Sequence, residues 1–402
     1  MTFTVAHVIY AFNSASGGPP RSVSLISDAA QGHWDVELFT TDSVGPHPDA
    51  LLTSRFPGDV HLIPISGKGA YGDIVAASRM ARALQAKWST GDIPDVVHFH
   101  GLWHLFLFTF AAMARRYRVP YIVAPRGMLE PWSLSVRSTR KSFALRTYQG
   151  SVFAHATALH ATSPSEAANI RRLPSLRAPV FVVPNPVEDP PSSTTGNPHS
   201  EPGQKVLLFL SRLHPKKGLD ILLKAWNDVR PSNWRLWIVG AGDAGYVRQL
   251  QQYCKTECVP SVKFHPHVDG SVRESMFAAA SALVLPTYSE NFGNVVAEAL
   301  IRGIPVITTT GTPWSVIATE RLGWYIEPTA VHLQMALKEL FAATPEDLRS
   351  MAARARCYAR TNLSVSALHE PLLGMYKSVL DSAAASVPTT KSGARIHDLD
   401  PP

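Results

Sequence analysis

The sequence has little cysteine, a modest share of charged residues and no long hydrophobic run. Its 402 residues include three cysteines, Cys254, Cys258 and Cys357. Their spacing fits neither a disulfide framework nor a metal-ligand motif, and it suits a reducing cytoplasm. The longest apolar segment, near residues 105–114, is too short to cross a membrane and predicts a core helix. The start of the chain lacks a basic region, so we expect a first strand there rather than a secretion signal.

The net charge of +7 is concentrated in the first half of the chain. Residues 1–185 hold 17 Lys and Arg against 11 Asp and Glu, whereas the remainder holds 21 against 20. A basic first half predicts an anionic partner, which can be a phosphorylated acceptor, an acidic membrane surface or nucleic acid. The sequence carries no nucleic-acid-binding module, so we expect no nucleic-acid partner.

Strand-like runs alternate with helical patterns along the whole chain, which predicts an α/β fold with parallel sheets covered on both faces. A Pro-, Ser- and Thr-rich stretch separates the two halves. The predicted units are a domain at 1–185, a linker at 186–204, a domain at 205–360, a helix at 361–380 and a disordered tail at 381–402. Strands are expected near residues 5–10, 36–40, 60–65, 96–100, 121–124, 159–161, 180–183, 206–210, 235–239, 262–264, 283–285 and 306–308.

A strand–loop–helix unit at residues 282–310 carries two carboxylates, Glu290 and Glu298. Its helix is expected to begin at Asn294, so that Asn294 and Glu298 share one face. The free N–H groups of residues 293–296 predict an anion site at the carboxyl end of a parallel strand, where such sheets bind ligands. Glu298 on a buried helix needs hydrogen-bond donors, for which ligand hydroxyls are candidates. A surface glutamate in the loop and a helix glutamate paired with an arginine explain the spacing equally well.

The second half opens with a strand that ends in Arg212, five residues before Lys217 and Gly218. This spacing brings two cations to a ligand-binding edge, although two solvated surface cations are the simpler alternative. Lys216 is expected to be solvated.

Three short motifs in the first half follow predicted strands. Gly17 and Gly18 allow close approach to a ligand or form a simple turn. Arg126, at a strand end before a glycine, is placed to meet an anion in bidentate fashion, although a surface arginine has the same pattern. His98 and His100 share a strand face. No carboxylate or cysteine nearby completes a metal site with them, and core histidines are the common alternative.

Two weaker patterns remain. Gly240 belongs to a G-x-G turn after a strand, and His265 and His267 follow the next strand. A basic segment with interleaved aromatic and aliphatic residues predicts either a helix on an anionic membrane or a solvated basic helix. Its residues are Arg137, Arg140, Lys141, Phe143, Leu145, Arg146 and Tyr148.

Glu290 to Glu298 is similar to the E-x7-E motif of the retaining glycosyltransferases of family 4, which have the GT-B fold. The other motifs follow in that family's order, so the resemblance spans most of residues 1–380. It implies two Rossmann-like, doubly wound domains facing a central cleft, with the last helix crossing back onto the first domain. It also implies that Arg212 and Lys217 hold the donor diphosphate, that Glu290 holds sugar hydroxyls, that Glu298 holds the ribose and that His100 lies over the sugar. Further donor contacts implied by the resemblance are Gly17, Gly18, Gly240, His265, His267, Phe292, Gly293, Asn294 and Val295.

The resemblance implies a retaining hexosyltransferase that uses a UDP- or GDP-sugar. No Asp-x-Asp-like metal site is evident, so neither a metal nor another cofactor is expected. The predicted acceptor is a lipid-linked saccharide in polysaccharide synthesis, and the predicted location is the cytoplasm, at the inner membrane face. Two alternatives are another GT-B enzyme, either a sugar-nucleotide epimerase or a phosphorylase, and a sugar-nucleotide-binding protein without catalysis.

Overall fold

The first half of the chain builds a seven-stranded sheet. The computed structural model describes residues 3–13, 18–42, 56–64, 69–136, 138–173, 176–191 and 204–385. Apolar and β-branched residues form the strands, and every pairing among them is parallel. The order is β3-β2-β1-β4-β5-β6-β7. The strands are β1 (Phe3–Ala11), β2 (Trp34–Thr41), β3 (Asp59–Ile63), β4 (Val96–His100), β5 (Tyr121–Ala124), β6 (Ala158–Ala161) and β7 (Val180–Val182).

The second half builds a six-stranded parallel sheet in the order β10-β9-β8-β11-β12-β13. Its last strand, β13, was not among the expected strands. Two parallel-sheet domains confirm the predicted α/β class. The strands are β8 (Lys205–Leu210), β9 (Trp234–Val239), β10 (Val262–His265), β11 (Ala280–Leu285), β12 (Val306–Thr309) and β13 (Gly323–Ile326).

Helices connect the strands and cover both sheets. The predicted core helix near residues 105–114 is present as α3 and buries Phe106 and Phe110 completely. The helices of the first domain are α1 (Gly18–Ala30), α2 (Gly69–Trp88), α3 (Leu105–Arg116), α4 (Pro131–Ser135), α5 (Ser138–Arg146), α6 (Tyr148–Ala154) and α7 (Pro164–Arg171). Those that follow are α8 (Leu219–Val229), α9 (Ala244–Thr256), α10 (Gly270–Ala279), α11 (Asn294–Ile301), α12 (Val316–Thr319), α13 (Ala330–Ala342), α14 (Pro345–Asn362) and α15 (Val365–Ala385).

The final helix, α15, packs mainly on the first domain. Leu372, Leu373 and Tyr376 are buried in one cluster with residues of α1 and β1. The helix continues to Ala385, so the expected boundary at residue 380 falls inside it, and residues 386–402 of the expected tail lie outside the described residues. Within the described residues, no helix combines the length and hydropathy needed to cross a membrane.

The strand orders bring the loops of the two domains together. In each sheet the order reverses beside a central pair, β1 and β4 in the first and β8 and β11 in the second. Loops at such a reversal form the ligand crevice of open α/β sheets. The two sets of loops touch, since Asn291 Nδ2 donates to Thr162 Oγ1 across the boundary at 3.0 Å.

Candidate active site

The loop after β8 places Lys217 against Glu290. A short 3-10 turn, Pro215–Lys217, precedes Gly218, which has a φ of 70°. A Cβ there would lie 2.0 Å from the Pro286 carbonyl oxygen, so only glycine lets the chain turn here. Lys217 Nζ forms an ion pair with Glu290 Oε2. Burial alone would raise the pKa of Glu290, but the neighbouring ammonium groups hold it below its usual range.

The other cations of this loop differ in their surroundings. Arg212 is exposed and has no hydrogen bond or ion pair to any residue in the described part of the chain. Lys216, expected to be solvated, instead lies 4.3 Å from the ring centroid of Trp132 in the first domain. Burial lowers the pKa of Lys216. The loop therefore offers a free guanidinium and a paired lysine at the edge of the cleft.

The helix α11 begins at this same edge without a side-chain cap. Gly293 precedes it with a φ of 79°, and no side chain among the described residues accepts from the first-turn N–H groups. The N–H groups of Asn294 and Val295 therefore have no partner within the helix and suit an anion. Phe292 itself packs in the core against Trp314, whose indole donates to the Phe292 carbonyl. Its side chain is thus turned away from the cleft.

Glu298 lies one turn into α11 and is paired with arginines from both domains. It is 4% exposed; Arg273 of α10 lies 2.5 Å from Oε2 and Arg21 of α1 lies 3.4 Å from Oε1. Burial would raise the pKa of Glu298, but these arginines lower it. The donors that a buried carboxylate requires are thus supplied by protein side chains. Sequence reasoning missed Arg273 because nothing in the local pattern marks it.

Asn294 and Glu298 share one face of α11, as the sequence predicted, and that face meets the first domain. Asn294 Nδ2 donates to Ser22 Oγ at 2.9 Å and to the Gly18 carbonyl at 3.4 Å. Asn294 Oδ1 accepts from Asn185 Nδ2 at 2.8 Å. Gly18 therefore lies beside the start of α11, whereas Gly17 lies outside the described residues.

Arg126 lies at the boundary between the two domains, where neutral groups hold it. It donates to Asn185 Oδ1 and to His100 Nδ1, the latter at 3.0 Å. In the described part of the chain no carboxylate bonds to it, and its Nε has no partner. Burial lowers the pKa of Arg126 to about 10, so it stays charged near neutral pH. Its φ of 54° is unusual for a residue other than glycine. A buried cation without a bonded anion is suited to receive one.

His100 belongs to a group of four buried histidines. Its Nε2 lies 2.9 Å from His7 Nδ1, and His98 lies between His160 Nδ1 at 3.1 Å and the Tyr376 hydroxyl at 3.0 Å. Burial, followed by the neighbouring imidazoles and Arg126, lowers the pKa of His100 well below its usual value. His100 is therefore neutral, and both of its ring nitrogens are engaged by protein groups.

His7, His98 and His100 have ring nitrogens within 4.8 Å of one another, a spacing compatible with a metal ion. However, both ring nitrogens of His98 and of His100 already make hydrogen bonds, and Nε2 of His7 is the one without a partner in the described chain. The positive charge of Arg126 beside His100 also opposes a bound cation. The geometry favours a hydrogen-bonded core group over a metal site.

Both domains match models of known protein families. Residues 17–186 match a family model described as "Glycosyl transferase 4-like domain", and residues 204–343 match one described as "Glycosyl transferases group 1". The chain belongs to the GT4-type glycosyltransferases. Known GT-B structures share the fold over nearly the whole chain. A sucrose-phosphate synthase from Thermosynechococcus elongatus has a TM-score of 0.75 and 18% identity, covering 96% of this chain and 100% of its own.

Two further relatives are informative. The Anabaena protein Alr3699/HepE, solved in complex with UDP and glucose, has a TM-score of 0.72 and 17% identity, covering 94% of this chain and 100% of its own. D-inositol 3-phosphate glycosyltransferase from Streptomyces griseus is 32% identical over 170 residues, 39% of this chain and 35% of the relative. The chain thus spans about a third of the length of such curated relatives.

The remaining predicted donor contacts lie on the second sheet, beyond β8. Gly240 follows β9, and its N–H donates to the His265 carbonyl at 3.2 Å. The His265 ring lies 5.2 Å from the Trp237 ring centroid, and His267 bonds Asp269 at 2.9 Å. Gly240 and His265 are therefore neighbours, whereas the exposed His267 side chain is engaged by a surface carboxylate.

The first domain adds two carboxylates that sequence reasoning did not select. Glu166 is buried and accepts from the N–H groups of Gly127 and Thr162 at 2.6 and 2.7 Å. A Cβ on Gly127 would lie 2.6 Å from Asn291 Cβ, so this loop approaches the second domain closely. Burial, followed by Glu166, raises the pKa of Glu130 to about 7. The loop 126–130 is thereby fixed against the donor-side loops.

Proposed function

We propose that this protein transfers a hexose from a UDP- or GDP-sugar to an acceptor hydroxyl, with retention of configuration and without a metal ion. The observation that carries the proposal is the Lys217–Glu290 ion pair beside the uncapped start of α11. These groups combine anion binding with a carboxylate able to hold hydroxyls. The name of the Anabaena structure, with UDP and glucose bound, supports a nucleotide-sugar donor.

The demanding step is the departure of the nucleoside diphosphate, on which negative charge develops. Lys217, the free guanidinium of Arg212 and the N–H groups of Asn294 and Val295 would stabilise that charge. The exposed Arg212 needs no broken ion pair to reach a phosphate. These groups supply the charge that a divalent cation would otherwise provide.

The paired acids would orient the donor. Glu290 keeps one oxygen, Oε1, that Lys217 does not bond, and this oxygen is available to sugar hydroxyls once it leaves the Asn291 N–H at 3.2 Å. On Glu298 the closer contact, to Arg273, involves Oε2, so a ribose hydroxyl would replace the longer contact of Arg21 with Oε1. His100 would act over the sugar, and Arg126 beside it would contact an anionic group. Gly240 and His265 would lie near the base.

We further propose a lipid-linked saccharide as the acceptor, at the inner face of the cell membrane. The segment 131–146 supports this proposal because it exposes apolar side chains: Trp132 is 45%, Val136 is 44% and Phe143 is 67% exposed. The basic residues Arg140 and Arg146 on the same segment are exposed as well. Arg137 lies outside the described residues. Exposed aromatic and basic groups together suit an anionic membrane surface.

The transfer reaction can be tested with a panel of UDP- and GDP-sugars and lipid-linked saccharides, in the presence of EDTA. We expect turnover of one donor, with a product whose anomeric configuration, read by NMR coupling constants, matches the donor. Glu290→Gln should lower kcat by about 100-fold or more. Glu346→Gln, which alters an exposed glutamate paired with Arg349 at 2.7 Å, is the matched control. Inversion, loss of activity in EDTA, or donor epimerisation without an acceptor would contradict the proposal.

A further inference from the structure

Asn185 is a buried amide that bonds to both domains. It lies between Pro184 and Pro186 at the end of the first domain and is 6% exposed, so its polar atoms need protein partners. Its Nδ2 donates to Asn294 Oδ1 at 2.8 Å, and its Oδ1 accepts from Arg126. A single side chain therefore links the start of the donor-side helix to the cation at the centre of the cleft.

The hydrogen bonds beyond Arg126 have a fixed direction. A guanidinium can only donate, so His100 Nδ1 accepts from Arg126. Because His100 is neutral, its proton is on Nε2, which donates to His7 Nδ1 at 2.9 Å. One chain of bonds thus runs from Asn294 through Asn185, Arg126 and His100 to His7, with every donor assigned.

The chain is complete only while the two domains are close together. Asn294 belongs to the second domain, and every other member belongs to the first. Hydrogen bonds weaken steeply as the donor–acceptor distance grows, so a domain opening of a few ångströms breaks the Asn294–Asn185 bond. The freed Asn185 amide can then rotate, and Arg126 loses one of its two acceptors.

We propose that Asn185 is a positioning residue that couples closure of the two domains to the placement of Arg126 and His100. This rests on the proposed transfer reaction, because it assigns Arg126 and His100 to the reacting side of the cleft. Arg126 depends on such support, since its charge is buried, its backbone has a positive φ and neutral groups alone bond to it in the described chain. The coupling confines sugar transfer to the closed state, from which water is excluded.

A double-mutant cycle tests the coupling. The kcat and the dissociation constant of the donor are measured for wild type, Asn185→Ala, Asn294→Ala and the double variant. Each single change should lower kcat by about 10- to 100-fold through misplacement, while donor affinity changes by less than about threefold. The kcat of the double variant should be no lower than that of the more impaired single variant. Asn294 is half-buried, so its variant tests the same bond from the other side if Asn185→Ala fails to fold.

Asn227→Ala is the matched control, since it also removes a hydrogen bond between asparagine and arginine, at 2.9 Å to Arg230, but far from the domain boundary. Its kcat should equal that of wild type. The coupling would be overturned if the fold-reduction of kcat in the double variant equalled the product of the two single reductions. An unchanged kcat in Asn185→Ala would also overturn it.

Small-angle scattering with and without UDP gives a measurement that needs no turnover. The radius of gyration of wild type should fall when UDP binds, and that of Asn185→Ala should fall less although it still binds UDP. Some contraction remains because Asn294–Ser22 and Asn291–Thr162 also join the domains. Equal contraction in both, or none in wild type, contradicts the role of Asn185. Should wild type contract but transfer no sugar, the proposed function fails while the scattering comparison still decides the role of Asn185.

Discussion

At the residue scale, the site depends on charges that are buried in pairs. Glu290 and Glu298 each lie against cations. One of the two alternatives for the E-x7-E spacing required an arginine beside Glu298, but it placed Glu290 on the surface without a partner. The sequence pattern also placed Glu290 in the loop and Glu298 on the helix that follows it, which is where they lie. It did not reveal Arg273 and Arg21 as partners of Glu298, or Asn185 as the partner of Asn294, because these contacts join residues far apart in sequence. Local patterns locate loops and strand ends, whereas the pairing of side chains across a cleft depends on how two sheets are docked.

Removal of Lys217 tests the pair directly. Lys217→Ala leaves Glu290 without its bonded cation, and the free energy of unfolding should fall by about 1–2 kcal/mol at pH 7, since both side chains keep some water contact. The pKa of Glu290 is lowered by folding, so the pair stabilises the protein above the ordinary carboxyl pKa. The difference between variant and wild type should be complete above about pH 5 and vanish as the pH falls through the lowered value.

Denaturant unfolding at several pH values measures this difference, and UDP stabilisation in a thermal shift assay measures diphosphate binding. Lys338→Ala, on the surface of the second domain, is a control for removing one positive charge. A variant as stable as wild type at pH 7 would contradict the importance of the pair.

At the scale of elements, most strands could be predicted because buried parallel strands are continuous apolar runs. β4, for example, has five buried residues in succession and was located to the residue. β13, whose four residues are all half-buried at the edge of the sheet, was not predicted. The basic segment forms two helices, α4 and α5, that lie on the surface. Together they bury a single residue, Ala144.

This segment is expected to bind anionic membranes. Phe143→Glu replaces a side chain that is 67% exposed with a charged one, and binding to vesicles that contain phosphatidylglycerol should fall by about tenfold. Co-sedimentation with anionic and with neutral vesicles measures the loss. Val331→Glu, at a site 64% exposed in the second domain, should bind like wild type. Equal loss in both variants would show that no localised membrane face exists.

At the scale of the whole molecule, the four histidines connect the first sheet to the final helix. β1 and β4 pair with His7 opposite His98, and His98 accepts from Tyr376 of α15. His98 and His100 were recognisable in the sequence as a shared strand face. His7 and His160 were not, because their proximity follows from strand order and register rather than from spacing along the chain.

The four buried histidines make the free energy of unfolding depend on pH. Burial lowers the pKa of His7 and His160 to about 3 and that of His98 and His100 well below the usual value. Below about pH 6.5 the unfolded chain binds protons that the folded chain does not, so stability must fall as the pH falls, by about 1.4 kcal/mol per pH unit for each such histidine. Unfolding by urea between pH 7 and pH 5 measures this slope.

His160→Gln keeps a donor for the Val183 carbonyl, now 2.8 Å from the ring, and removes one titrating group. The slope of its unfolding free energy against pH should be smaller than that of wild type, by an amount that corresponds to at most one proton. His267→Gln, which changes an exposed histidine outside the group, is the control. A slope unchanged in His160→Gln would mean that these imidazoles are not the cause.

The return of α15 to the first domain has a consequence for synthesis. A ribosome releases residues in order from the amino end, so β1 to β7 emerge long before Leu372 and Tyr376, which close one face of their sheet. During translation of the entire second domain, the nascent first domain carries an uncovered apolar surface. Such intermediates are prone to aggregate and to require chaperones. Separate expression of residues 1–185 is for the same reason a poor route to a folded fragment.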